Sequence, residues 1–176
     1  MRITFTIAMN MLLVTGIFAS PDIEWTQKKY PEISYLYRDH GSDFGSPEEN
    51  SLSKKKSYES VISMIEEARS LKLQFITPVF FRFDLRARKV IEGGLEVQDK
   101  RTAHLIKKTR VRQAGNFLRA SFQGSGSGIE SVFQQLPKKL KAHSLTLLRE
   151  EAYYQKVTST GKDADLFIVL FPLKEE

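Results

Sequence analysis

A chain of 176 residues, 41% hydrophobic and 27% charged, has the composition of one ordinary globular domain with or without a removable leader, and excludes wholesale disorder or a collagen-like fibre. It contains no cysteine, which excludes disulfides, zinc–thiolate sites, iron–sulfur clusters and a cysteine nucleophile, and its three histidines, His40, His104 and His143, have no short metal-ligand spacing. Lys and Arg number 27 against 21 Asp and Glu, a net charge of +6, but they are dispersed in short clusters such as Lys54-Lys55-Lys56 and Lys138-Lys139; without a recognition motif these read as solvated surface, and no nucleic-acid partner is expected.

Met1-Arg2 gives a positive start, Ile3 to Ala19 is mostly apolar and uncharged, and polarity returns at Ser20-Pro21-Asp22. This is the layout of a secretory signal peptide over 1–19 with cleavage after Ala19, and it predicts an exported protein, periplasmic or secreted. An uncleaved N-terminal membrane anchor is the main alternative, and a core strand is the third, since Ile3 to Ile7 alternates. Residues 20–32 read as a linker, 33–173 as one folded domain and 174–176 as a tail.

Within the domain, Ile33 to Arg38 is rich in β-formers and reads as a strand, followed by a Gly/Ser/Asp/Pro loop over Gly41 to Asn50. Tyr58, Val61, Ile62, Ile65, Ala68 and Leu71 follow helical spacing. Phe75 to Phe83 reads as a strand in which Pro78 marks an edge or a bulge. After a turn at Asp84 to Arg88, Lys89 to Val97 reads as a strand whose Gly93-Gly94 marks a bulge or a close backbone approach. Asp99 to Lys108 is a charged connection.

The same order then returns. Phe117 to Phe122 reads as a strand and Gln123 to Gly128 as a glycine loop. Ser127 to Glu130 matches a capping box. Ile129, Val132, Phe133, Leu136 and Leu140 form a helical stripe that Pro137 is expected to kink or restart, because proline offers no amide proton. Glu150 to Val157 and Asp165 to Leu173 close the domain around a Thr158 to Lys162 turn. A strand–helix–strand–strand unit occurring twice predicts an α+β fold: an antiparallel sheet, two helices packed on one of its faces, internal pseudo-twofold symmetry and a central groove at the seam of the halves.

Candidate functional residues follow from strand alternation, which puts Glu151 and Tyr153 on one face and Glu150, Ala152 and Tyr154 on the other. Tyr35 and Tyr37 share a face of the first strand, and Val79, Phe81 and Phe83 share a face of the second, where core packing is the favoured reading. Trp25 lies in the linker and reads as a lid or a strand-edge contact. Asp39-His40 beside Ser42 invites general-base chemistry, but neighbours on a strand point apart, so His40 reads as a loop residue. The Gly124 to Gly128 run lacks the Gly-Lys-Ser/Thr ending of a phosphate-binding loop and reads as a turn and cap, so no cofactor and no metal is expected.

The run Ala114-Gly115-Asn116-Phe117 through Ser121-Phe122 to Gln123-Gly124-Ser125 resembles the core of the GyrI-like small-molecule-binding domains, which include effector-binding domains of multidrug-responsive regulators and a gyrase-inhibitory protein. Glu92 to Val97 resembles the strand that ends that family's first half, Glu151-Ala152-Tyr153 its Glu-x-Tyr motif, and Ile168 to Leu173 its closing strand. The resemblance spans about Ile33 to Leu173. It implies a duplicated fold with a groove that takes a small amphiphilic, often cationic aromatic, ligand around a buried carboxylate. Carried onto this chain, it makes Glu151 the counter-charge and Tyr153, Tyr37, Tyr35 and Phe81 the walls. Members include hydrolases and partner-binding proteins, so a hydrolase using Glu151 and a protein-partner module are the alternatives to simple binding. A membrane contact is expected only if the N-terminal segment stays uncleaved. No DNA-binding domain precedes the groove in this sequence, so a regulator's output is missing from it.

Overall fold

A computed structural model describes residues 21–43, 62–98, 109–124, 128–157 and 165–175. Eight strands are present among them: β1 Glu24–Tyr30, β2 Ile33–Asp43, β3 Phe75–Asp84, β4 Lys89–Val97, β5 Thr109–Arg112, β6 Gly115–Gly124, β7 Glu151–Val157 and β8 Asp165–Pro172. A helix over 62–70 (α1) follows β2, and α2, Gly128–Ala142, follows β6. The strands form one sheet in the order β1-β6-β8-β7-β3-β4-β2-β5, and every pairing is antiparallel. This is the expected α+β architecture.

The duplication is legible in the register. Leu36 pairs with Leu95 in the first half as Leu118 pairs with Phe171 in the second, and Phe80 faces Gly94 as Tyr153 faces Leu170. At the seam β3 pairs with β7, and Phe81 lies opposite Tyr154. These two residues occupy equivalent places in the two halves, so the pseudo-twofold axis runs between their rings, which stack at 6.2 Å between centroids.

The repeat is longer by one strand than the sequence pattern shows. Within the expected 20–32 linker, Glu24–Tyr30 forms β1, and a second short strand, β5, precedes β6. Each is joined to the next strand by two residues, Pro31-Glu32 and Gln113-Ala114, yet each pairs with the opposite half: β1 with β6 and β5 with β2. The two units thus exchange their edge strands. Neither strand carries the apolar alternation of a half-buried strand, since their sequences are EWTQKKY and TRVR.

Both helices lie on one face. Met64 and Ala68 of α1 pack with Leu36, Val79, Leu95 and Val97, while Ile129, Val132 and Leu136 of α2 pack on Leu118, Phe122, Phe167 and Phe171. The α2 stripe is the one expected from spacing, with Glu130 in the first turn and Lys139 and Lys141 in the last, matched to the helix dipole. The helix runs on through Pro137 without restarting. That residue is exposed, so the carbonyl deprived of its intrahelical partner can face water. Pro78 falls in the register shift between Ile76 and Phe80, and β3 is a central strand, so the bulge expectation holds and the edge expectation does not. The loop expected from Gly41 begins later, because β2 runs to Asp43. The turn after β3 is tied by the Asp84 carboxylate, which accepts from the backbone amides of Arg86 and Ala87 at 2.9 and 2.8 Å.

The 1–19 leader, the 44–61 stretch including the first turn expected of α1, the 99–108 connection, the Ser127 cap and the 158–162 turn lie outside the described residues, as do the side chains of Asp39, His40 and Ser42.

Gly128 is where α2 touches the sheet. A Cβ there would sit 2.3 Å from the Phe122 ring, whose other contacts include Phe167 stacked at 5.0 Å. The Phe122 ring is held by that stack, so Gly128→Ala is expected to destabilise the protein by about 1–3 kcal/mol, the usual cost of overpacking. Urea denaturation checks this, and a wild-type midpoint would show that α2 slides freely over Phe122.

Candidate functional site

The face opposite the helices carries the polar chemistry. Its buried cluster is Ile33, Tyr35, Phe80, Phe117, Tyr153 and Leu170, with Tyr30, Tyr37 and Ile168 packed against it, and no residue of the described helices belongs to it. The rings meet edge to face: Tyr35 with Phe80 at 4.9 Å, Phe80 with Tyr153 at 5.9 Å and Phe117 with Tyr153 at 6.4 Å. Gly94 makes this possible. The Phe80 ring rests on its backbone, and a Cβ at Gly94 would lie 2.3 Å from that ring. The close approach expected of Gly93-Gly94 is therefore real, and Gly94 is the residue that needs it.

At the floor of this face lies Glu92, with 0% of its surface exposed. Alternation along β4 turns it away from the helices, where an isolated carboxylate would be prohibitively costly. Its two oxygens are held by four groups. The Tyr35 hydroxyl donates to Oε1 at 2.7 Å, and Arg82, directly opposite on β3, donates from Nη2 to Oε2 at 3.0 Å. Arg82 Nε also stands 3.0 Å from Oε1, as an ion pair without hydrogen-bond alignment. Arg110 of β5 completes the set through Nη1 to Oε2. Arg82 turns its remaining nitrogen to Glu151, donating from Nη1 to Oε1 at 3.0 Å. Burial alone would lower the Arg82 pKa, but the two carboxylates more than offset it and hold the guanidinium charged. Burial, then the Glu92 acceptor and its charge, push the Tyr35 hydroxyl well above the ordinary tyrosine range, so Tyr35 is a fixed donor.

β5 supplies a second arginine two residues on. Arg112 is buried at 8% exposure, with its guanidinium 5.5, 5.3 and 5.8 Å from the ring centroids of Tyr30, Phe117 and Tyr153. Its Nη2 donates to the Pro31 carbonyl at 3.3 Å, and among the described residues its buried Nε has no partner. Burial draws its pKa down, against the favourable pull of the Glu96 charge, and the surrounding ring faces add cation–π attraction.

Of the residues expected at the site, Glu151, Tyr153, Tyr35 and Tyr37 share this face. Phe81 does not. It packs between the two helix-side clusters, beside Met64 and stacked on Tyr154, because its parity on β3 is that of Val79 and not of Phe80 and Arg82. The aromatic wall from β3 is Phe80. Trp25 makes the strand-edge contact foreseen for it, on the helix side, with its indole 6.1 Å from the Phe171 ring. The buried acid at the base of the face is Glu92 and not Glu151, which sits nearer the rim with its Oε2 buried but unbonded. An open cleft of about 510 Å³ adjoins it, lined by Asp84, Arg86, Leu147, Leu148, Glu150 and Glu151 among others. Sequence reasoning missed Glu92, Arg82, Arg110 and Arg112. The available signals were an acid preceding two glycines in a strand and arginines at alternate positions in β5.

The network predicts a strong, non-additive mutational response. Arg82→Gln leaves Glu92 buried with half its partners gone and is expected to cost about 3–5 kcal/mol. Adding Glu92→Gln removes the stranded charge, so the double variant should be less damaged than the sum of the two single changes. Additive losses in urea denaturation would show that the two side chains are not energetically coupled.

No family model and no curated protein matches this chain. Solved structures do. The C-terminal domain of EcmrR superposes with a TM-score of 0.65 at 13% identity, covering 88% of this chain and 99% of that domain. EcmrR in its complex with DNA gives 0.60 at 14% identity over 88% of this chain, which spans 58% of the length of EcmrR there. A hydrolase from Listeria innocua gives 0.51 at 11% identity, covering 89% of this chain and 95% of that one. At these identities the shared property is the fold. The exchanged edge strands, the seam between β3 and β7 and the helix-free aromatic face are thus set on the GyrI-like fold, which this chain carries over nearly all of its described length.

Proposed function

We propose that the protein is a non-enzymatic binding domain that takes a small amphiphilic aromatic molecule on the helix-free face, at the seam of its two halves. The observation that carries this reading is the concentration on one sheet face of the Tyr35, Tyr37, Phe80, Phe117 and Tyr153 rings around a fully buried carboxylate. Ordinary sheet faces in contact with water alternate polar residues there and do not assemble rings around an acid. Aromatic walls offer stacking area at small entropic cost, and a few fixed polar groups orient what lies between them. Glu151 lies beside the open cleft at the rim, and Tyr37 is a half-buried ring. The fold shared with the EcmrR C-terminal domain supports the reading without identifying a ligand.

The test is fluorescence titration with Nile red, which is neutral, and crystal violet, which is cationic. The wild type is expected to bind at least the neutral dye, and Tyr37→Leu to weaken it about tenfold, as removal of an aromatic anchor commonly does. Binding unaffected by Tyr37→Leu, or no binding of either dye to any variant, overturns the proposal. Recovery of the dye chemically unchanged separates binding from hydrolysis at Glu151.

We also propose export, on the N-terminal pattern of a charged start, an apolar run and the Ala19 boundary. The native protein is then expected outside the cytoplasm with its first residue near Ser20. N-terminal sequencing after cell fractionation decides it: an intact Met1 on a cytosolic protein removes the idea, and an intact Met1 in the membrane fraction replaces it with the anchor.

A further inference from the structure

We infer that Arg110 is a tethered internal cation that sets the charge preference of the aromatic face, by occupying the outer side of Glu92 where a positively charged ligand would otherwise sit. The inference rests on the binding reading above and goes beyond it to the class of ligand the face accepts.

A buried carboxylate among aromatic rings is, by its chemistry, a site for a cation: the acid needs a counter-charge and the ring faces attract one. In this protein two guanidiniums meet that need, and they are not equivalent. Arg82 belongs to the central strand β3, its side chain is 17% exposed, and it is shared between Glu92 and Glu151. Arg110 belongs to β5, a four-residue edge strand hydrogen-bonded to β2 alone, and its side chain is 39% exposed. Its guanidinium lies 3.9 Å from the Tyr37 ring centroid while Nη1 donates to Glu92 Oε2. Arg110 thus presents the features expected of a bound cationic ligand, one flat positive group stacked on a tyrosine and paired with the buried acid. It is also the more accessible of the two.

The charge count of the cluster agrees. Glu92 and Glu151 are matched by Arg82 and Arg110, and Glu96 acts on Arg112, leaving no net negative charge to attract a cation. An incoming cation must displace a group held in place by its own chain, whose effective concentration for a short tether is roughly in the millimolar range or above. A neutral aromatic molecule need not. The face is therefore selective against cations as long as Arg110 is in place. Its removal leaves Glu92 Oε2 still bonded to Arg82 and Oε1 to Tyr35, so the acid keeps partners and the fold keeps its floor.

The experiment titrates the full chain, wild type and Arg110→Gln, with crystal violet and Nile red, each variant first checked for a cooperative thermal transition. Arg110→Gln is expected to raise crystal violet affinity by about tenfold or more relative to Nile red affinity. Arg110→Lys keeps the charge, gives up the flat stack on Tyr37, and is expected to raise crystal violet affinity by a smaller factor, about threefold; it carries the test if the glutamine variant does not fold. Nile red bound by the wild type with crystal violet affinity unchanged in both variants overturns the role of Arg110 and leaves the binding reading standing. Neither dye bound by the wild type or either variant overturns the binding reading, and the inference with it.

Discussion

The Glu92 carboxylate is the constraint around which the helix-free face is organised. A charge with no exposure is tolerated only when its partners are fixed before solvent is lost, and here those partners come from three different strands. Tyr35 reaches it from β2, Arg82 from β3 and Arg110 from β5, while Arg82 carries the connection across the seam to Glu151 on β7. Slipping any of these strands by one residue would turn its contributing side chain to the helix side and strand the acid. The network therefore specifies register across the middle of the sheet, where the apolar helix-side residues, interchangeable in kind, specify it less sharply.

The two halves share a backbone plan and divide the chemistry. Where the first half has Glu92, the second has Ile168 at the equivalent place, and where the first has Arg82 the second has Gln155. Tyr35 corresponds to Phe117, so one ring keeps a hydroxyl for the acid and its counterpart does not need one. The edge strands diverge in the same way: Arg112 stands where its counterpart on β1 is Tyr30, and the two meet as cation and ring because the strands are exchanged. A symmetric sheet thus carries an asymmetric face, with a buried acid beneath the first half and Ile168 in its place beneath the second.

Exchange of β1 and β5 also determines what the face presents to solvent. Each edge strand lies beside the half it does not precede, so β5 is brought next to β2, with Arg110 over Tyr37 and Arg112 among Tyr30, Phe117 and Tyr153. Had β5 paired locally, Arg110 could not reach Glu92. Edge strands this short and this charged are poor templates for further strand addition, which suits a sheet open at both ends.

Much of this was open to reading in the chain itself. The helical stripe of α2, the β-rich runs of β4 and β8, the parity of β7, the turn at Asp84 and the repeated element order are local patterns, bounded by Gly, Pro and Asp. The shared face of Glu151 and Tyr153, and of Tyr35 and Tyr37, follows from strand parity alone. The bulges of β3 broke that logic only in part: Phe81 keeps the parity of Val79, and the spacing does not say which parity faces the helices. β1 and β5 left no periodic trace, because an edge strand with one neighbour and a half-wet surface needs no apolar alternation. Above all, sequence could nominate an acid but not say which one would be buried. That depends on Arg82, Arg110 and Tyr35 converging on Glu92 from separations of 10, 18 and 57 residues, which is decided only when the sheet closes around the carboxylate and water leaves it.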